Sequence, residues 1–166
     1  MTSVCYFWKS DCVFSNWYMD APFELDEHKF TCVEQYMMWR KACLFGDQAS
    51  AAKLLVLSHP ADCRELGRRV QGFKQDVWDQ EKVAIVEAGV RAKFAQNEQA
   101  KQQLLSTKGQ LLAEAAPWDA IWGIGISERE ARRVGVKGWP GKNLLGQILM
   151  RVRDEFLSNS ALRNPE

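Results

Sequence analysis

The sequence predicts a single, predominantly helical α+β domain with a few short strands, on three observations. Its 166 residues are the length of one ordinary domain. Its composition, 46% hydrophobic and 26% charged, is that of a globular chain able to bury a core. Its apolar residues follow the helical period over most of the chain, and strand-like stretches are few and short.

Val4 to Trp8 is apolar, aromatic and β-branched, which predicts a strand, and Phe14-Ser15-Asn16 follows as a loop. Phe23 to Thr31 predicts a hairpin turning at Asp26-Glu27. From Val33 the period becomes helical, with Thr31 as N-cap, Glu34 completing an S/T-x-x-E capping box, and Gly46 ending the helix. A second helix over Ala49–Leu57 stops at His59-Pro60, and a third covers Asp62–Val70. Gln75–Gln96 predicts the longest helix, with Val77, Trp78, Val83, Ile85, Val86, Val90 and Phe94 inward, as the spine of the core. Glu98–Ser106 continues as a helix and Gln110–Ala115 as a strand. Trp118–Gly125 is a glycine-bounded loop, and the charged stretch from Ser127 to Arg133 reads as an ambiguous, mobile segment. After the turn Trp139-Pro140-Gly141, Asn143–Leu157 forms an amphipathic helix, and Ser158–Glu166 a frayed tail.

Composition also excludes classes of function. Twenty-two Lys and Arg against 21 Asp and Glu leave a net charge of +1, too little to hold a long polyanion against salt. A pocket for one or two phosphates is still compatible. Five cysteines without a C-x-x-C pair, and two histidines, argue against a metal site. The odd cysteine count and an N-terminus without a secretory pattern predict a cytoplasmic protein with reduced thiols. No run of eighteen apolar residues occurs, so no membrane span is expected.

Three constellations could carry chemistry. Seven residues of α-helix turn through about 700°, so Glu34 and Lys41 project within roughly 20° of each other, about 10.5 Å apart along the axis. Such a pair can converge on a sugar-sized ligand, one as acid/base and the other as cation or nucleophile. Charges placed this way also complement the helix dipole at its two ends. The loop Trp118–Gly125 encloses Asp119 between indoles, a composition suited to stacking a heterocycle or to a simple turn around a buried ring. Gly138 to Asn143 precedes the last helix, whose first amides could receive a phosphate beside Lys142, or which Asn143 could simply cap. The P-loop and G-x-S-x-G patterns are both missing.

Six segments in order, Phe14-Ser15-Asn16, Glu34-Gln35-Tyr36 with Lys41, Leu66-Gly67-Arg68, Arg91-Ala92-Lys93-Phe94, Asp119-Ala120-Ile121-Trp122-Gly123 and Gly141-Lys142-Asn143-Leu144-Leu145-Gly146, resemble the signature of the NADAR, or YbiA-like, family. The resemblance implies one YbiA-like domain over residues 1–157 and cleavage of N-glycosidic bonds without a cofactor. The implied substrates are ribosylamino-pyrimidine phosphates of the riboflavin pathway. A second branch of the family implies ADP-ribosyl hydrolysis, removing ADP-ribose from guanine in nucleotides or DNA. A non-catalytic ADP-ribose or nucleotide reader is the rival from another class.

Carried over, Glu34, Lys41 and Asp119 would be catalytic. Trp122 would flank the base with Gly123 beside it, and Asn16, Arg68, Lys142 and Asn143 would hold sugar and phosphate. The chain departs from the family at Ile124, where an acid is usual, at Ile121, where an aromatic is usual, and at Gln35, where histidine is frequent. Trp39 and the segment from Ser127 to Val136 also differ.

Overall fold

The computed structural model describes residues 3–163. It comprises two compact units, a helical unit over Asn16–Ala100 and a strand unit made of the chain up to Ser15 and from Lys101 onward.

The strand unit contributes β1 (Val4–Phe7), and the helical unit opens with an antiparallel hairpin of β2 (Phe23–Leu25) and β3 (His28–Phe30). The turn falls at Asp26-Glu27 as expected, with φ of 50° and 64°. Two consecutive left-handed residues match the right-handed twist of the flanking strands. Tyr36 donates a hydrogen bond to Asp26 Oδ2 at 2.9 Å, and Arg40 donates to the same carboxylate at 3.2 Å, which pins the turn. His28, Phe30, Tyr36 and Trp39 stack edge-on or tilted with centroids 5.0 to 6.5 Å apart. Trp39 thus joins the aromatic packing between hairpin and helix.

Four helices follow: α1 (Val33–Leu44), α2 (Gln48–Val56), α3 (Pro60–Gly67) and α4 (Gln75–Gln96). Asp47 caps α2 by accepting from Ser50 N–H at 3.0 Å, and Pro60 opens α3 at a position where a missing N–H costs nothing. The expected helix at Asp62–Val70 therefore begins and ends earlier. The spine of this unit is α1 rather than α4. Six consecutive residues of α1, Val33 to Met38, are buried, because α2, α3 and α4 all pack on it. A helix covered on several sides loses the clean stripe that periodicity detects.

The unit boundary falls within α5 (Glu98–Ser106). In the strand unit β4 (Leu111–Glu114) pairs in parallel with β1, Val4 opposite Leu111 through Phe7 opposite Glu114. Parallel neighbours need a long crossover, and here it carries the entire helical unit. The segment expected to be mobile is α6 (Glu128–Val134), capped by Ser127 and followed by a 3₁₀ turn over Val136–Gly138. It is held because Ala131 packs with Ala113, Ala115 and Ile124 in a buried cluster. The last helix, α7 (Leu144–Arg163), packs on β4 through Leu145, Ile148, Leu149 and Val152, all fully buried. Each such side chain contributes at most about 1.5–3 kcal/mol. Arg153 ties α7 to the approach to β4, donating to the carbonyls of Thr107 and Gln110, each at 2.8 Å. The helix runs past Leu157, the expected end, and residues 164–166 of the expected tail lie outside the described residues. Among the described residues no helix is long and apolar enough to cross a membrane.

Candidate active site

The first turn of α1 is built differently from a capping box. Cys32, extended at φ −159°, is the N-cap, not Thr31, and makes no side-chain cap bond. The Thr31 N–H donates to Gln35 Oε1 at 2.7 Å, so Gln35 makes the return contact assigned to Glu34. Gln35 also donates to the carbonyls of Leu54 and Leu57, at 2.8 and 2.5 Å, which satisfies its buried amide and accounts for glutamine there. Glu34 instead donates its backbone N–H to the carbonyl of Asn16 at 2.9 Å. Glu34 is only 5% exposed.

Asn16 is buried beside this turn, and its side-chain Oδ1 has no hydrogen-bond partner. A buried acceptor left open is costly unless something else donates to it, such as a bound hydroxyl.

Seven residues on, Lys41 donates from Nζ to the carbonyl of Gly67 at 2.8 Å. Its ammonium lies 4.4 Å from the Phe73 ring and 5.6 Å from that of Trp78. Gly67 permits this approach, since a Cβ there would collide with the Met38 side chain one turn earlier on α1. Burial pushes the Lys41 pKa below the ordinary lysine value, and Glu34 opposes that shift. The pair is therefore electrostatically coupled, with the amine biased toward its nucleophilic neutral form. Arg68 directly follows Gly67, and its side chain is exposed. Asn16, Glu34, Lys41 and the turn at Gly67-Arg68 thus gather within the helical unit.

The strand-unit candidates gather too, but through backbone. Asp119 Oδ1 accepts from the N–H groups of Ile121 and Trp122, at 2.9 and 2.8 Å, which shapes the loop. The N–H groups of Lys142, Asn143, Leu144 and Leu145 donate to the carbonyls of Ala120, Gly123, Ile121 and Trp122, at 2.8 to 3.2 Å. Leu144 and Leu145 open α7, and their amides, like those of Lys142 and Asn143 before it, are taken by loop carbonyls rather than open to a phosphate, which corrects the expectation for these four N–H groups. The loop carbonyls, short of partners in a turn this tight, have taken them.

Asn143 sits at φ 53° with its amide spanning β4, accepting from Glu114 N–H at 3.1 Å and donating to Leu112 C=O at 2.8 Å. Asparagine is among the few residues suited to that left-handed position. Gly123 is equally constrained, as a Cβ would lie 2.8 Å from the Glu114 carbonyl oxygen. Lys142 is exposed and Trp122 half-buried. Ile124 is fully buried in the cluster with Ala131, where an acid would be desolvated.

Several contributors escaped the sequence reading. Phe73, in the loop before α4, and Trp78, on α4 itself, stand far along the chain from Lys41, and no local pattern links them to it. Lys93 left a signal, a lysine on the apolar stripe of α4 beside Val86, Val90 and Phe94. Trp118, weighed as a core or pocket ring, is 93% exposed. A cavity of about 360 Å³ in the strand unit is lined by Tyr6, Phe7, Trp8, Lys9, Cys12, Ala115, Ser127 and Glu128, and includes none of the expected site residues. Among the described residues no group of three His, Cys, Asp or Glu side chains could hold a metal.

The comparisons agree with this architecture. The model of the NADAR domain matches residues 6–157. The chain is 40% identical over 150 residues to N-glycosidase R617 of Acanthamoeba polyphaga mimivirus, covering 86% of each protein. It is 31% identical over 114 residues to the chloroplastic riboflavin biosynthesis protein PYRR of Arabidopsis thaliana, covering 66% of this chain and 17% of that one. The NMR structure of the E. coli protein YbiA superposes with a TM-score of 0.79 at 25% identity, covering all of this chain and 92% of the other. On the family match over residues 6–157 and the likeness to R617, this chain belongs to the NADAR domain family.

Proposed function

We propose that this protein is an N-glycosidase that hydrolyses the bond between ribosyl C1 and nitrogen in a phosphorylated N-riboside, a ribosylamino-pyrimidine phosphate of riboflavin synthesis. The observation that carries the reading is the desolvated Glu34–Lys41 pair on one face of α1, with the Lys41 amine shifted toward its neutral form. Membership of the family supports it, as do relatives that bear the names N-glycosidase and riboflavin biosynthesis protein.

In this mechanism the Lys41 amine adds to C1 of the ring-opened sugar. The C1–N bond then breaks, its electron pair staying on the departing nitrogen, which takes a proton from Glu34. The C1=N imine left on Lys41 is hydrolysed by water, releasing the ribose phosphate and restoring the amine. The open Oδ1 of Asn16 accepts a sugar hydroxyl. Arg68 meets the phosphate; in the strand unit, the family resemblance gives Asp119, Trp122, Gly123 and Lys142 roles in substrate binding. Asn143 acts by holding the loop of Asp119. Five thiols that form no disulfide among the described residues support a reducing, cytoplasmic setting.

Incubation with ribosylamino-pyrimidine phosphate, followed by mass spectrometry, is expected to yield free base and ribose 5-phosphate. Borohydride added during turnover should fix a ribosyl adduct on Lys41. Turnover without any adduct removes the imine and leaves Lys41 to position the ribose. A parallel incubation with ADP-ribosylated guanosine or DNA discriminates the substrates, and exclusive release of ADP-ribose there would replace the riboflavin assignment. Binding without release of base from either would reduce the protein to a reader.

A further inference from the structure

Lys93 is 1% exposed, the most deeply buried charged side chain among the described residues, and Glu34 is the buried carboxylate among them. Burying an ammonium is costly unless an anion and oriented groups hold it. The close approach of α4 to α1 lies beside both residues. A Cβ at Gly89 would lie 2.8 Å from Tyr36 Cδ1 and 3.4 Å from Val33 Cγ1, so the helices approach most closely there. Lys93 stands one turn beyond Gly89 on the same stripe of α4, and Val33 immediately precedes Glu34.

The electrostatics of Cys32 point the same way, since its buried thiol is pushed up by Glu34 and down by Lys93. Aromatic faces line the remaining sides, with the Lys93 ammonium 5.3 Å from the Tyr18 ring and 5.1 Å from that of Phe94. Tyr18 lies two residues beyond Asn16, whose carbonyl receives the Glu34 N–H.

We propose that Lys93 is a positioning residue for Glu34, holding its carboxylate ionised and aimed in the resting enzyme. This rests on the N-glycosidase reading. Glu34 then begins the cycle as a carboxylate, takes a proton as the Lys41 ammonium becomes a nucleophile, and returns it to the departing nitrogen. The other cations on α3 and α4 are exposed or engaged, Arg64 and Arg68 being exposed, Lys82 pairing with Asp79 and Arg91 with Glu87. Lys41 is coupled to Glu34 as well, but it loses its charge on becoming the nucleophile, and the thiols of Cys32 and of Cys63 on α3 are held neutral by burial. On α2 and β3, Lys53 and Lys29 are exposed, and His28 packs against Trp39.

The test is kcat against pH for the wild type, Lys93→Met and Lys93→Arg. Lys93→Met is expected to move the acidic limb up by about one pH unit or more, with activity recovering at higher pH, and Lys93→Arg to restore the wild-type limb. An equal loss at every pH would overturn the proposal. Should Lys93→Met not fold, a carbon NMR titration of Glu34 in the wild type decides, and a pKa above the ordinary value of about 4.3 would overturn it. Glu34→Gln separates the two ideas. Full activity in that variant sinks the acid/base role of Glu34 and this proposal with it, an inactive Glu34→Gln beside an unmoved Lys93→Met limb sinks only the role of Lys93, and wild type that releases no base sinks the N-glycosidase reading itself.

Discussion

In the helical unit, side chains serve one another. Glu34 acts on Lys41, Lys41 takes the Gly67 carbonyl between two aromatic rings, and Gln35 takes over the capping that would have occupied Glu34. In the strand unit, backbone serves backbone. The carbonyls of Ala120 to Trp122 and Gly123 absorb the amides that lead into α7 and open it, and Asp119 and Asn143 spend side-chain atoms on main-chain groups. The difference teaches where chemistry can reside. Groups that shift one another's charge state are equipped to move protons, while groups satisfied by backbone make a rigid support.

The strongest attack on this contrast is Glu34→Gln, expected to lower kcat by about 10²–10⁴-fold while the chain stays folded. Turnover measured by release of base within a few-fold of wild type would end the division of labour. Asn143→Leu tests the other half. It strands the Glu114 N–H and Leu112 carbonyl and forces a branched side chain into the left-handed region, so a loss of about 2–5 kcal/mol is expected in urea unfolding. The fraction still folded should turn over within a few-fold of wild type, and a large fall in kcat with unchanged stability would move Asn143 into the reacting site.

Alkali should separate the two regions as well. Burial pushes both the Cys63 thiol and the Tyr36 phenol up to about 12, from 9.0 and 10.0. Folded values raised above unfolded ones give stability that is complete below about pH 9 and is lost as pH rises from there toward 12. Hydrogen exchange at rising pH, corrected for intrinsic rates, should therefore show α1 losing protection before α7. Equal loss in both would show that these two groups do not govern alkaline unfolding. The smallest effect is expected at Trp118, where substitution by alanine removes an exposed ring and should change stability by less than about 0.5 kcal/mol. Any rise in KM in that variant then reports contact with the ligand.

Much of this was legible in the sequence. Gln75–Gln96 and Glu98–Ser106 were bounded as the structure has them, and the hairpin turns where expected, because long periodic runs and short turns are local properties. The shared face of Glu34 and Lys41 follows from helix geometry alone, and the six ordered segments pointed to the family. The cap of α1 was misplaced by one residue because its competitor for the Glu34 N–H, the Asn16 carbonyl, lies eighteen positions away. The burial of Lys93, the burial of Ile124 and the filling of the α7 amides likewise depend on partners from other elements.

Sequence by itself determined which segments are helices or strands and which residue types stand at the candidate site, since spacing and propensity act over a few residues. Tertiary structure decided which charges are desolvated, which amides are already occupied and which helix lies at the centre. Those outcomes are set by the competition of distant donors, acceptors and apolar surfaces for the same buried space, and no local pattern encodes the winner.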